Sequence, residues 1–263
     1  MKRMLLRVPR SVWIAFVGTS LLFVLFPQID LAVSGLFYTP GVGFEINGAW
    51  YERFIYHASE LLIAGVTLAL IALWGYARLA KRTLPIRLAG KELAFLLLVL
   101  ALGPGLMINW ALKEHWGRAR PVDLVEFGGT HAFSPAWILS DQHGHSFCSG
   151  HAGATFYLIA VALVVAHRRR RWVSLAVVGG ILVGLVRIAS GGHFLSDVLV
   201  SFFIVLILTL MLRGLVFGEA PAPNPNSEGA AQRGRGTGGV PVVRPRNGID
   251  CALREDGSSR VGG

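Results

Sequence analysis

The sequence predicts an all-α, polytopic membrane protein with six transmembrane helices. Three observations lead there. Hydrophobic residues make up 53% of the 263-residue chain. They gather in runs long enough to cross a bilayer, which takes about 17–25 residues. The basic residues then fall in alternate connecting segments, as the positive-inside rule requires of a multi-pass protein. The spans are placed roughly at 11–27, 54–76, 92–112, 151–167, 173–189 and 195–217. The fourth and fifth lie at the short limit for a crossing helix.

Lys2, Arg3, Arg7 and Arg10 precede the first span. A basic start, an apolar run and Ala32-Val33-Ser34 also fit a cleaved signal peptide. The length of the run and Pro27 behind it favour a helix that is retained, and either outcome leaves the rest of the chain facing the same way. Residues 28–53 contain FYTPGVGFEINGAW. This reads as a loop anchored at the membrane interface by Tyr38, Phe44 and Trp50. Arg78, Lys81, Arg82, Arg87 and Lys91 fill the connection between the second and third spans, and Arg168 to Arg171 separate the fourth from the fifth. Segment 113–150 is the longest external connection and the natural place for substrate selection. Residues 1–218 thus form one membrane domain. Beyond it, 219–263 are rich in Pro, Gly, Ser and Asn, with little to bury, and read as a disordered cytoplasmic tail. No internal repeat is visible.

With six spans, every strongly basic segment shares one side, so both termini are assigned to the cytoplasm. The basic loops account for most of the net charge of +10 and suit anionic headgroups. No basic face with interleaved aromatics marks a nucleic-acid partner. Cys148 and Cys251 are assigned to opposite sides, which argues against a disulfide, and their spacing fits no zinc site. The opposite face keeps only Arg53, Lys113, Arg118, Arg120 and Arg187. Cations on the disfavoured side point to chemistry.

Four of those five belong to three polar clusters at the ends of spans: Lys113–Pro121 (KEHWGRARP), Ser149-Gly150-His151, and Arg187–Asp197 (RIASGGHFLSD). His193 and Asp197 are four apart, on one helix face, so the carboxylate can fix the imidazole tautomer and leave the other nitrogen to attack. Gly191-Gly192 would let an anion approach the backbone, and Arg187 can bind it in a bidentate manner. Ser149 suits an N-cap and the helix start an anion. His151 suits proton donation to a leaving oxygen. Lys113 and Arg120 add positive charge. Each cluster alone fits a blander reading: a capped helix, an interfacial histidine, or basic residues marking an interface. Together they suit holding a phosphate and passing it to a histidine. A channel is disfavoured, because the polar residues gather at one face and do not line a path.

The ordered pattern K-x6-RP (Lys113, Arg120-Pro121), SGH (149–151) and R-x5-H-x3-D (Arg187, His193, Asp197) resembles the signature of the type 2 phosphatidic acid phosphatase superfamily. Within it, WGRARPVDLVEFGGTHAFSPAWILSDQ resembles bacterial lipid A phosphatases of the 4′-phosphatase type. The resemblance implies a six-helix core over most of residues 1–217. His193 would be the nucleophile through a phosphohistidine, Asp197 would orient it and His151 would be the general acid. Lys113, Arg120, Arg187, Ser149 and the Gly150 N–H would hold the phosphoryl oxygens, with no metal or other cofactor. It implies a lipid phosphatase in the bacterial inner membrane with its site facing the periplasm. Lipid A phosphate leads as substrate, with phosphatidylglycerophosphate and undecaprenyl diphosphate as alternatives and transfer to a second lipid also open. A vanadate-dependent haloperoxidase has a similar pocket but is generally soluble, and a lipid-binding protein without turnover would not need His193 and Asp197. The chain departs from the family pattern at Cys148, where Pro is usual, and at Val186, where Ser is usual.

Four further histidines, His115, His131, His143 and His145, read as solvated loop. Trp116 and Trp137 read as anchors or as a lining for sugar or acyl chains. His57 and Glu60 lie near the outer end of the second span, within reach of a headgroup.

Overall fold

The computed structural model describes residues 8–81, 83 and 88–218. Lys2, Arg3, Arg7, Arg82, Arg87, Cys251 and the tail assigned to 219–263 lie outside the described residues. Helix α1 (Arg10–Leu25) ends because Pro27 pushes Phe26 out of the helical region. Helix α2 (Gln28–Gly35) then leaves at 84° to α1. The segment read as an anchored loop therefore opens with a helix. It continues into a small antiparallel hairpin, β1 (Tyr38–Thr39) and β2 (Gly43–Phe44), with Tyr38 opposite Phe44. Trp50 is exposed, but Phe44 is buried in a cluster with Tyr38 and Phe127. Phe44 is thus an inward residue and not an interfacial anchor.

Helix α3 (Trp50–Leu79) has 30 residues, about 45 Å at 1.5 Å per residue. That exceeds the hydrocarbon thickness of about 30 Å, so its polar first turns can extend past it. Helix α4 (Gly90–Leu100) starts with Glu92 accepting the Ala89 N–H at 3.1 Å. It runs on without a break as a π-helical stretch, Ala101–Lys113, around Pro104. Proline cannot supply an N–H, and a wider turn accommodates the gap. The Asn109 side chain donates to the Pro104 carbonyl at 2.9 Å. Helices α5 (Gly150–Phe156) and α6 (Leu158–Val165) are joined by Tyr157, and α7 (Arg169–Ala189) and α8 (Leu195–Phe217) complete the bundle.

Among the described residues four helices are long and apolar enough to span a membrane: α3, Gly90–Lys113, α7 and α8. The bent α1–α2 pair can be counted as a fifth. Gly150–Val165, the fourth predicted span, is shorter than these. The protein is a multi-pass helical membrane protein with four or five such spans, against the six that the sequence predicts. Helix α8 is the central one, packed by α1, α4, α5 and α7. Its most apolar window is 61% buried against 17% for α3, so α3 lies at the periphery.

Close helix crossings depend on small residues. A Cβ at Gly180 would collide with the Phe156 ring, so α7 approaches α5 only because that atom is absent. Gly180→Ala is expected to destabilise the protein by about 1–3 kcal/mol, as overpacking does. Thermal unfolding in detergent would show a lowered midpoint, partly recovered by adding Phe156→Leu.

Candidate active site

The site is built at the junction of α3, the end of the π-helical stretch, the start of α5, the end of α7 and the turn leading into α8. Residues 190–194 make that turn. The Arg187 carbonyl accepts the N–H groups of Gly192 at 2.9 Å and His193 at 3.1 Å, which fixes His193 just before α8. Gly191 has φ +68°, and a Cβ there would meet Phe44 at 2.6 Å. A Cβ at Gly192 would strike the Arg187 guanidinium. The glycine pair therefore makes room for Phe44 and Arg187, where the sequence suggested room for an anion.

His193 is almost wholly buried, and its Nδ1 lies 2.7 Å from the Ser146 carbonyl oxygen. A carbonyl only accepts, so Nδ1 carries the hydrogen and Nε2 keeps its lone pair. Asp197 Oδ2 is 3.6 Å from the same nitrogen. The tautomer is thus set by Ser146 and not by a direct bond to Asp197. The carboxylate acts one residue removed: Oδ2 accepts the Ser146 hydroxyl at 2.6 Å and the Phe194 N–H at 2.8 Å. Burial, partly opposed by Asp197, lowers the His193 pKa to about 4, so the ring is neutral at neutral pH.

Arg118 supplies what the sequence reading passed over. Its guanidinium is fully buried and binds Asp197 Oδ1 at 2.6 Å, Asp30 Oδ2 at 2.9 Å, the Ser196 hydroxyl at 2.9 Å and the Ser134 carbonyl at 2.8 Å. Phe194 stacks on it at 4.0 Å. Asp30 also accepts from the Ser196 hydroxyl, at 2.5 Å, and from the Ser196 N–H, at 3.0 Å. The sequence did carry a signal: a lone carboxylate in the apolar helix QIDLAVSG is costly unless paired.

The remaining cluster residues are linked to His193 through their charges. The charges of Lys113 and Arg187 act on both His193 and His151, and Arg120 acts on Lys113 and Arg187. The Arg187 guanidinium is ion-paired with Glu52 of α3, and its Nε is buried without a hydrogen-bond partner. Ser149 occupies the N-cap position of α5, yet its hydroxyl does not cap the helix and is likewise buried without a partner. Gly150 packs tightly on Asn109, where a Cβ would lie 2.6 Å from Oδ1. His151 Nε2 lies 3.1 Å from Glu60 Oε1, and its Nδ1 is buried without a partner.

Residues 92–219 match the PAP2 superfamily. A lipid A 4′-phosphatase of Francisella tularensis subsp. novicida is 32% identical over 207 residues, covering 74% of this chain and 89% of that protein. The chain belongs to the PAP2 superfamily. It is a membrane phosphatase of that superfamily, whose members hydrolyse phosphate esters without a metal. A lipid A 4′-phosphatase of Rhizobium leguminosarum is 35% identical over 132 residues, 49% of this chain and 56% of that one. Phosphatidylglycerophosphatase B of Bacillus subtilis is 31% identical over 128 residues, 45% of this chain and 56% of that one. The crystal structure of the transmembrane PAP2 type phosphatidylglycerolphosphate phosphatase from Bacillus subtilis shares the fold, with TM-score 0.52 and 21% identity over 82% of this chain and 98% of that one.

Within this PAP2 fold Cys148 is fully buried, and burial first of all pushes its thiol well above the ordinary range, so it is no thiolate nucleophile. Trp116 and Trp137 pack around Phe147, with ring centroids 5.1 Å from it in each case, and serve the core. His115 and His145 contact the backbone carbonyls of Trp110 and Lys113. Among the described residues no cluster of three metal-ligating side chains occurs.

Two outcomes are expected. Arg118→Ala leaves buried carboxylates without their cation and should cost about 3–5 kcal/mol, read as a lowered thermal midpoint. For His193 the pKa is depressed, so its contribution to stability is present above the ordinary 6.5 and is lost as pH falls through about 4. Imidazole ¹⁵N shifts should show a neutral ring protonated at Nδ1 at pH 6, and an imidazolium there would contradict the assignment.

Proposed function

We propose that this protein is a lipid phosphatase that removes a phosphate from the headgroup of lipid A at the outer face of the inner membrane. Three buried polar atoms without partners carry the reading: Arg187 Nε, the Ser149 hydroxyl and His151 Nδ1. Each such atom costs about 1–3 kcal/mol if nothing meets it. All three belong to the motif residues that accompany a neutral His193 in the sequence pattern, and a phosphate monoester would satisfy two donors and receive a proton from the third. Identity to the Francisella lipid A 4′-phosphatase along most of both chains supports the substrate. Phosphatidylglycerophosphate is the second reading, favoured by the likeness to the Bacillus phosphatidylglycerophosphatase.

In this mechanism His193 Nε2 attacks phosphorus in line with the ester oxygen. The P–N bond forms as the P–O bond breaks, and His151 gives its proton to the departing oxygen. The ring becomes cationic as it takes up the phosphoryl group. The Ser146 carbonyl holds its Nδ1–H and the nearby Asp197 carboxylate stabilises the charge. Lys113, Arg120, Arg187, the Ser149 hydroxyl and the Gly150 N–H hold the equatorial oxygens, since phosphoryl transfer depends on positioning and electrostatics. Water then attacks phosphorus, giving a proton to His151, and the P–N bond breaks to release phosphate and neutral His193. The catalytic roles of His193, His151 and Asp197 and the binding roles of the others belong to this proposal.

The basic segments place the termini in the cytoplasm and the site in the periplasm in this scheme. A reporter fused after residue 218 should be cytoplasmic, and an exported reporter would change the number of crossings by one. The enzymatic test is phosphate release by the detergent-solubilised protein from lipid A, phosphatidylglycerophosphate, phosphatidic acid and undecaprenyl diphosphate. Release from lipid A should persist in chelator and fall at least about 10³-fold in His193→Ala. Preference for another lipid would reassign the substrate, and release unaffected by His193→Ala would overturn the mechanism.

A further inference from the structure

The reaction asks one imidazole to give up a proton and later take one back, and something must decide which nitrogen does so. His193 is settled by the Ser146 carbonyl at Nδ1. His151 is held at the opposite nitrogen, where Nε2 meets Glu60 Oε1 at 3.1 Å. Glu60 comes from α3, 91 residues away in sequence, and no motif of the chain includes it. The Tyr56 ring lies against the imidazole with centroids 3.8 Å apart, which limits the plane the ring can adopt. His57 Nδ1 stands 3.8 Å from the other Glu60 oxygen.

We propose that Glu60 is the positioning residue of His151, fixing the hydrogen on Nε2 so that Nδ1 is the atom that cycles. An ionised carboxylate only accepts, so Nε2–H is retained in both charge states of the ring. The cationic ring then has Nδ1–H, and that proton passes to the ester oxygen as the P–O bond breaks. The neutral ring left behind has a bare Nδ1, which takes the proton from water as it attacks the phosphohistidine. The proton count closes, and Glu60 neither gains nor loses one. Burial first, and then the cations Arg187 and Lys113, oppose the protonated form of His151. Tyr56 faces it from α3, and Glu60 is the carboxylate in contact with it. Such a counter-charge at hydrogen-bond distance works against burial and the cations, although the net shift of His151 is still downward from the ordinary histidine value.

This inference rests on His151 being the general acid of a phosphatase, and it is tested without assuming lipid A. kcat/KM, which reports the first displacement, is measured for phosphatidic acid and for 4-nitrophenyl phosphate across pH in wild type, Glu60→Gln and Glu60→Asp. The alkyl ester needs a proton on its leaving oxygen and the nitrophenyl ester needs little help. Glu60→Gln should lose at least about 10-fold more on the alkyl ester than on the aryl ester. Its alkaline limb should move down by about one pH unit, and Glu60→Asp should recover part of both effects. Equal losses on the two esters with an unmoved alkaline limb would make Glu60 a scaffold residue and overturn the proposal. A faster Glu60→Gln enzyme would overturn it too, since Glu60 would then be obstructing His151. Neither result bears on the lipid panel, so failure of the substrate assignment and failure of this inference remain separate.

Discussion

A guanidinium with no exposure to solvent ties three distant stretches of this chain together, and the setting of His193 follows from it. Arg118 comes from the external segment, Asp30 from α2, and Asp197 and Ser196 from the first turn of α8. Taking three ionisable groups out of water is costly, and only a fully hydrogen-bonded arrangement offsets the cost. Here the arginine has carboxylate partners at two of its nitrogens, a carbonyl at the third and an aromatic face against it. The knot can form only when three distant stretches of chain are in register, so it specifies their arrangement.

Ser146 carries that arrangement to His193. Its hydroxyl is fixed by Asp197, which Arg118 holds, while its carbonyl fixes His193. A displacement of α2 would reach His193 through four hydrogen-bonded groups. The bend of α1–α2 at Pro27 belongs to the same design, because it brings Asp30 to the end of the bundle where Arg118 lies.

Helix α3 has a different relation to the site. It is the least buried of the long helices, yet its first turns bring Glu52 to Arg187 and Glu60 to His151. Two carboxylates thus face two of the cationic or protonatable groups that would meet phosphate. Their negative charges favour the cationic forms of those two groups, against the burial that opposes them.

Much of this was readable in the chain. Apolar runs gave the long helices, since a bilayer dictates both their length and composition. The misplaced cations and the i, i+4 pair His193 and Asp197 pointed to the site, because charge on that face and that spacing have few structural excuses. Other features were not readable for physical reasons. Phe44 looks like an interfacial aromatic until the space over Gly191 shows where it is buried. Ser149 looks like a cap until its hydroxyl is found unpartnered. Arg118 and Arg120 are chemically identical two residues apart, and only the fold buries one in a carboxylate knot and leaves the other beside Lys113. By itself the sequence determined the solvent of each segment and the set of reactive groups, which follow from local composition and spacing. Tertiary structure alone decided which nitrogen of each histidine is tied, to Ser146 in one case and Glu60 in the other. Those partners lie 47 and 91 residues away, and hydrogen bonds across such separations leave no periodicity in the chain.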